Sequence, residues 1–121
     1  MKTKKTLVVG ASTKEERYSN KAIKMLQEYG HPIVAWGRRK GEVNGVEIVT
    51  EFPTDNDIDT VTLYLSPSNQ VEFYQPIIDI KPKRIIFNPG TENDDFVDLL
   101  TKNNIESEIA CTLVLLRSEQ Y

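Results

Sequence analysis

The sequence predicts an α/β domain built in three layers, a five-stranded, mostly parallel sheet with helices on both faces. Three observations carry this. Short apolar runs of strand length alternate with amphipathic stretches of helix length along the 121 residues. The runs Leu7-Val8-Val9 and Arg84-Ile85-Ile86-Phe87 are nearly continuous, as strands covered on both faces are, rather than alternating. The runs give way to Gly10, Ser66-Pro67 and Asn88-Pro89-Gly90, residues suited to passing from a strand into a turn or helix.

Thr6 to Val9 reads as a buried strand. A polar loop follows from Gly10 to Ser19, and Tyr18 to Tyr29 reads as a helix with Ala22, Ile23, Met25, Leu26 and Tyr29 on its apolar stripe. Ser19 or Asn20 is placed to cap its start and Gly30 to stop it. Ile33 to Trp36 is a second strand, ending at the basic turn Gly37-Arg38-Arg39-Lys40. Residues 43 to 49 form a small extended excursion with a turn at Asn44-Gly45.

Thr60 to Leu65 is the third main strand. A helix from about Asn69 to Ile80 follows, with Pro76 inside it as a kink or stop. Arg84 to Phe87 is the fourth strand, after which Thr91 can cap a helix carrying Phe96, Val97, Leu99 and Leu100. Ile105 to Ile109 is the fifth and weakest strand, and residues 110 to 116 read as a closing helix or a strand, the helix being favoured.

The length suits one domain, residues 1–121, with a real core. A net charge of -3 argues against broad nucleic-acid binding, so any basic site must be local. No apolar run reaches membrane-spanning length, and the short run after the basic start is no signal peptide. A single cysteine, Cys111, excludes internal disulfides and fits a cytoplasmic location.

Right-handed crossovers place the strand C-terminal ends along one edge, where ligands of such sheets bind. Four loops then share a crevice: 10–19, 37–40, 66–69 and 88–91, with Cys111 as a fifth contributor. In the first, Ser12, Thr13 and Ser19 bring hydroxyls and Arg17 a cation, all suited to phosphate at a helix N-terminus. One glycine is too few for the G-x-G-x-x-G fingerprint. Where NAD sites place an acidic residue, at the second strand's end, this chain has Arg38, Arg39 and Lys40. Those cations suit a ribose carrying an extra phosphate, as in NADP or coenzyme A.

Catalytic groups are scarce. His31 precedes a strand and is expected in a surface turn at the edge opposite the crevice. Cys111 is most simply a small buried apolar residue. No cluster has metal-ligand spacing, and no residue is assigned a catalytic role.

Val8-Val9-Gly10-Ala11-Ser12, then Arg17-Tyr18-Ser19 and a helix ending Leu26-Gln27-Glu28-Tyr29-Gly30, resemble the small stand-alone CoA-binding proteins. These are similar to the N-terminal domain of the succinyl-CoA synthetase α subunit. The resemblance extends through the second-strand turn, Ser66-Pro67, Asn88-Pro89-Gly90 and Cys111. It implies a Rossmann-like domain that binds coenzyme A or an acyl-CoA, with pyrophosphate on the Gly10–Ser19 loop and the phosphorylated ribose near the second-strand turn.

Gly10, Ala11, Ser12, Arg17 and Ser19 match the family's first loop; Thr13 and Tyr18 lie between them. Ser66 and Pro67 match its third-strand end, and Gly90 and Cys111 later turns. The chain departs from the family after the second strand, where Trp36-Gly37-Arg38-Arg39 replaces Val-Asn-Pro and a basic residue. The synthetase's phosphorylated histidine has no counterpart. The expectation is a binding or sensor module without evident catalysis, which takes a small nucleotide ligand and neither nucleic acid nor membrane. The alternatives are the NADP-binding domain of a reductase, and a protein-interaction domain with a vestigial pocket.

Overall fold

The computed structural model describes residues 2–121. Its strands are β1 (Thr6–Val9), β2 (Ile33–Trp36), β3 (Gly41–Val43), β4 (Val46–Val49), β5 (Thr60–Leu63), β6 (Arg84–Phe87) and β7 (Glu106–Ile109). They form one sheet in the order β3-β4-β2-β1-β5-β6-β7. Every neighbouring pair is parallel except β3 with β4. The sheet thus has seven strands where five were expected. The excursion after the basic turn is a hairpin, and its second arm pairs with β2 through Ala35↔Ile48 and Trp36↔Val49. Asn44 and Gly45, both at positive φ (47° and 84°), make the tight turn that lets so short a hairpin close.

The helices are α1 (Tyr18–Glu28), α2 (Pro67–Gln70), α3 (Tyr74–Asp79), α4 (Asp94–Lys102) and α5 (Thr112–Arg117), with a 3-10 turn at Val71–Phe73. Alternate side chains of the central strands feed two cores. Leu7, Val9, Leu63 and Phe87 pack with Ile77, Phe96 and Leu100 on the α3 and α4 face. Val8, Ala35 and Ile86 pack with Ile23, Leu26 and Leu116 on the α1 and α5 face. β1 is buried at every position, and apolar from Leu7 to Val9, because both of its faces are covered.

Several local expectations are corrected. The helix expected from about Asn69 to Ile80 is broken into α2, the 3-10 turn and α3. Pro76 falls in the first turn of α3, where its missing N–H costs nothing; an unbroken helix would drive its ring into the carbonyl of Glu72. The third strand stops at Leu63, not Leu65, which frees Tyr64 and Leu65 to line a loop. Thr91 does not cap α4. Asn93 does, accepting from Phe96 N–H at 3.2 Å, and Asp94 and Asp95 occupy the first turn, where the helix dipole favours them.

His31 is not in an exposed turn. It is 3% exposed, accepts a hydrogen bond from the Lys4 backbone N–H at 2.9 Å, and meets the Tyr121 ring edge-on. Tyr121 in turn shares a 2.6 Å hydrogen bond with Thr6 and lies under the Arg84 guanidinium, which also donates to Thr60 and Glu108. Burial, then the charges of Lys4 and Arg84, hold the His31 pKa below its usual value. The remote edge expected for His31 is where it lies. Among the described residues no helix is long and apolar enough to cross a membrane.

Candidate functional site

A cleft of about 680 Å³ opens at the C-terminal ends of β1, β2, β5 and β6. Its first wall is the loop from β1 to α1. Gly10 sits at φ 100°, and a side chain there would meet the Tyr64 carbonyl at 3.1 Å, so only glycine fits between β1 and β5. Gly10 and Ala11 N–H both donate to Trp36 O, at 2.9 and 2.8 Å, which ties the loop to the end of β2.

The capping role expected of Ser19 or Asn20 is not what these residues do. Both lie inside α1, and Asn20 reaches back with its amide to hold Ser12 O at 3.0 Å. Ser12 Oγ accepts from Lys14 N–H at 3.1 Å, which leaves its own hydroxyl proton free to donate outward. The backbone N–H groups of Ser12, Thr13, Tyr18 and Ser19 take no partner among the described residues. Four unpaired donors around the start of an 11-residue helix are what an anion needs.

The second wall is the basic turn after β2. Gly37 lines no part of the cleft; it is buried, and a side chain there would strike Ala11 O at 2.5 Å and Ile48 at 2.9 Å. A Cβ on Gly41 would collide with Thr13. The two glycines therefore let the Arg38-Arg39-Lys40 segment close directly onto the first loop.

Within that segment the cations differ. Arg38 donates to Glu72 at 3.0 Å and stands over the Trp36 and Phe73 rings, 5.8 and 5.7 Å from their centroids. Arg39 and Lys40, like Lys14 and Arg17 opposite them, take no ion-pair partner among the described residues.

The remaining wall is Tyr64, Leu65 and Ser66 after β5, and Pro89, Gly90 and Thr91 after β6. Gln70 is fully buried and donates to both Leu65 O (2.9 Å) and Thr91 O (2.8 Å), stapling these two loops together. Burial pushes the Tyr64 phenol well above its usual pKa. Asn88 sits beneath the cleft as a brace. Its amide donates to Thr62 Oγ1 and Leu63 O, and its carbonyl accepts from Thr112 N–H, at 2.7, 2.9 and 2.9 Å.

Of the residues expected at the crevice, the structure gathers Gly10, Ala11, Ser12, Thr13, Arg17, Tyr18, Ser19, Arg38, Arg39, Lys40, Ser66 and Gly90 around the cleft. Gly37, Pro67, Asn88 and Cys111 do not line it. Pro67 begins α2, and Cys111 is half-buried at the start of α5. Sequence reasoning missed Lys14, Glu16, Tyr64, Leu65, Pro89 and Thr91 as lining residues, although each is within or beside a loop it had placed at the crevice. It missed Gln70 altogether, because a glutamine within a helical stretch carries no signal that its amide is turned inward.

A family described as a CoA binding domain matches residues 4–117. Among solved structures, the crystal structure of an uncharacterized protein superimposes with a TM-score of 0.97 at 45% identity, over all of both chains. A hypothetical protein from Pyrococcus horikoshii OT3 is 23% identical with a TM-score of 0.78, covering 95% of this chain and 83% of that one. The NADPH-dependent glyoxylate/hydroxypyruvate reductase from Sinorhizobium meliloti is 15% identical with a TM-score of 0.64, covering 89% of this chain and 47% of that one. The fold is thus Rossmann-like, with one mixed seven-stranded sheet. No curated protein matches by sequence.

Proposed function

The chain belongs to the family of CoA binding domains, and from that premise we propose that it binds coenzyme A in the cleft above β1, β2, β5 and β6. The pyrophosphate lies against the free N–H groups of residues 12, 13, 18 and 19, with Arg17 and Lys14 supplying charge. The 3′-phosphate lies against the turn after β2. The pantetheine arm runs past Leu65 and Ser66 toward Gly90 and Thr91, where the wall is less charged. The thiol end of that arm is read as open to an acyl group. The protein acts as a binding module in the cytoplasm, where a single thiol stays reduced.

The observation that carries this reading is the pairing across one cleft of unbonded helix-start N–H groups with cations that have no ion-pair partner. Titration calorimetry with CoA, acetyl-CoA, NADP and NAD tests it. CoA and acetyl-CoA should bind alike and NAD should not bind; no heat with CoA at high-micromolar ligand refutes the reading.

One observation favours a second reading: the basic turn would also serve the 2′-phosphate of NADP, and the fold is shared with an NADPH-dependent reductase. NADP binding tighter than CoA, with hydride transfer to a carbonyl compound, would establish it. If neither nucleotide binds, an interaction domain with a vestigial pocket remains.

A further inference from the structure

We propose that Arg38 recognises the adenine ring by stacking and leaves the ribose phosphate to Arg39 and Lys40, a division of labour that rests on the CoA reading above. Three adjacent cations look interchangeable in the sequence, but only Arg38 is already engaged. Its guanidinium donates to Glu72 at 3.0 Å, so a phosphate brought to the same group would also approach a carboxylate. Arg39 and Lys40 carry no such neighbour among the described residues.

The second observation concerns orientation. The Arg38 side chain stands over Trp36 and Phe73, whose rings are themselves edge-to-face at 4.5 Å and backed by Phe52. Trp36 is 4% exposed and is further fixed by its indole N–H donating to Thr50 O at 2.9 Å. Glu72 and this aromatic base flank the guanidinium, while 54% of the Arg38 side chain stays accessible and contributes to the cleft lining. A planar cation flanked by aromatic rings yet still accessible is a surface for a flat, electron-rich heterocycle. It stands at the end of β2, where a ligand with its pyrophosphate on α1 and its phosphorylated ribose at the basic turn carries its base.

Calorimetric titration of CoA and of 3′-dephospho-CoA, with wild type, R38A, R38K and the double variant R39A/K40A, separates the roles. R38A should weaken both ligands by the same factor, about five- to 100-fold, as expected for a lost base-stacking contact. R38K should not rescue it, because an ammonium offers no plane. R39A/K40A should weaken CoA and bring its affinity toward that of dephospho-CoA.

If R38A instead narrows the preference for CoA over dephospho-CoA, Arg38 is a phosphate ligand and the proposal fails. It fails equally if R38A binds both ligands as the wild type does. Wild-type protein that binds neither ligand overturns the CoA reading itself, an outcome visible before any variant is made.

Discussion

Adding one methyl group at Gly37 is the sharpest probe of how the cleft is assembled. Gly37 does not touch the cleft, yet its Cβ position lies 2.5 Å from Ala11 O, about 0.9 Å inside the 3.4 Å of an ordinary contact. Neither neighbour can yield cheaply. Ala11 is held by its N–H to Trp36 O at 2.8 Å, and Ile48, which the new methyl would meet at 2.9 Å, is 1% exposed in the core. Relief therefore means separating the basic turn from the first loop, or losing the bonds at Ala11 and at Gly37 N–H to Val49 O (3.0 Å).

Overpacking of this kind costs about 1–3 kcal/mol, and a strained or broken backbone hydrogen bond about 1 kcal/mol more. For a chain of this size that lowers Tm by about 10 °C. The same separation moves Arg39 and Lys40 away from the first loop, so G37A should also bind CoA at least about tenfold more weakly, or ~1.4 kcal/mol. Thermal melting and calorimetric titration measure the two effects. A G37A protein that melts and binds like the wild type would refute the account of the two loops as a tightly closed pair.

Asn88→Ala should destabilise the fold by about 2–4 kcal/mol in urea titration, since it strands the Thr112 N–H in a buried site and removes the amide donor to Thr62 Oγ1 and Leu63 O. Asn93→Ala removes the α4 cap together with the Asn93 amide's bonds to buried Gln70 Oε1 and to the Tyr74 hydroxyl, and should cost about 1–3 kcal/mol by the same measurement; a cost near zero would mean that these interactions are dispensable. The His31 pKa is depressed in the folded protein, so the unfolded chain takes up that proton first as pH falls. Stability should therefore drop progressively below about pH 6.5, and H31N should flatten the dependence in that window. Equal slopes for wild type and H31N would show that His31 does not drive it.

The alternation of strands and helices was legible because β1, β5 and β6 are fully buried runs and α1 and α4 carry clear apolar stripes. The excursion over residues 43–49 and its Asn44-Gly45 turn were legible too, but its place in the sheet was not. Residues 46–49 look like any exposed hairpin arm until one knows that Ile48 and Val49 align with Ala35 and Trp36, a pairing set by tertiary packing rather than local pattern. The cleft itself was largely legible, since chain order alone puts those loops on one edge. What stayed hidden was the direction of polar side chains. Asn88 turns its amide down into the sheet, Gln70 turns inward between two loops, and His31 turns into the core against Tyr121. Each is a polar residue whose partners lie 20 or more residues away or at a backbone atom, and composition and periodicity carry no trace of either.

The ring of cations around the cleft has a consequence for which anions reach it. Lys14, Arg17, Arg38, Arg39 and Lys40 against the carboxylate of Glu16 leave the lining with four net positive charges, while the whole chain carries -3. The remaining residues therefore hold a net charge of -7. A long polyanion that spreads beyond the cleft meets a remainder of net negative charge, whereas a compact anion can stay within the cationic lining. The charge balance therefore favours compact anions over long ones. It works most strongly at low ionic strength and fades as added salt shortens the reach of both fields.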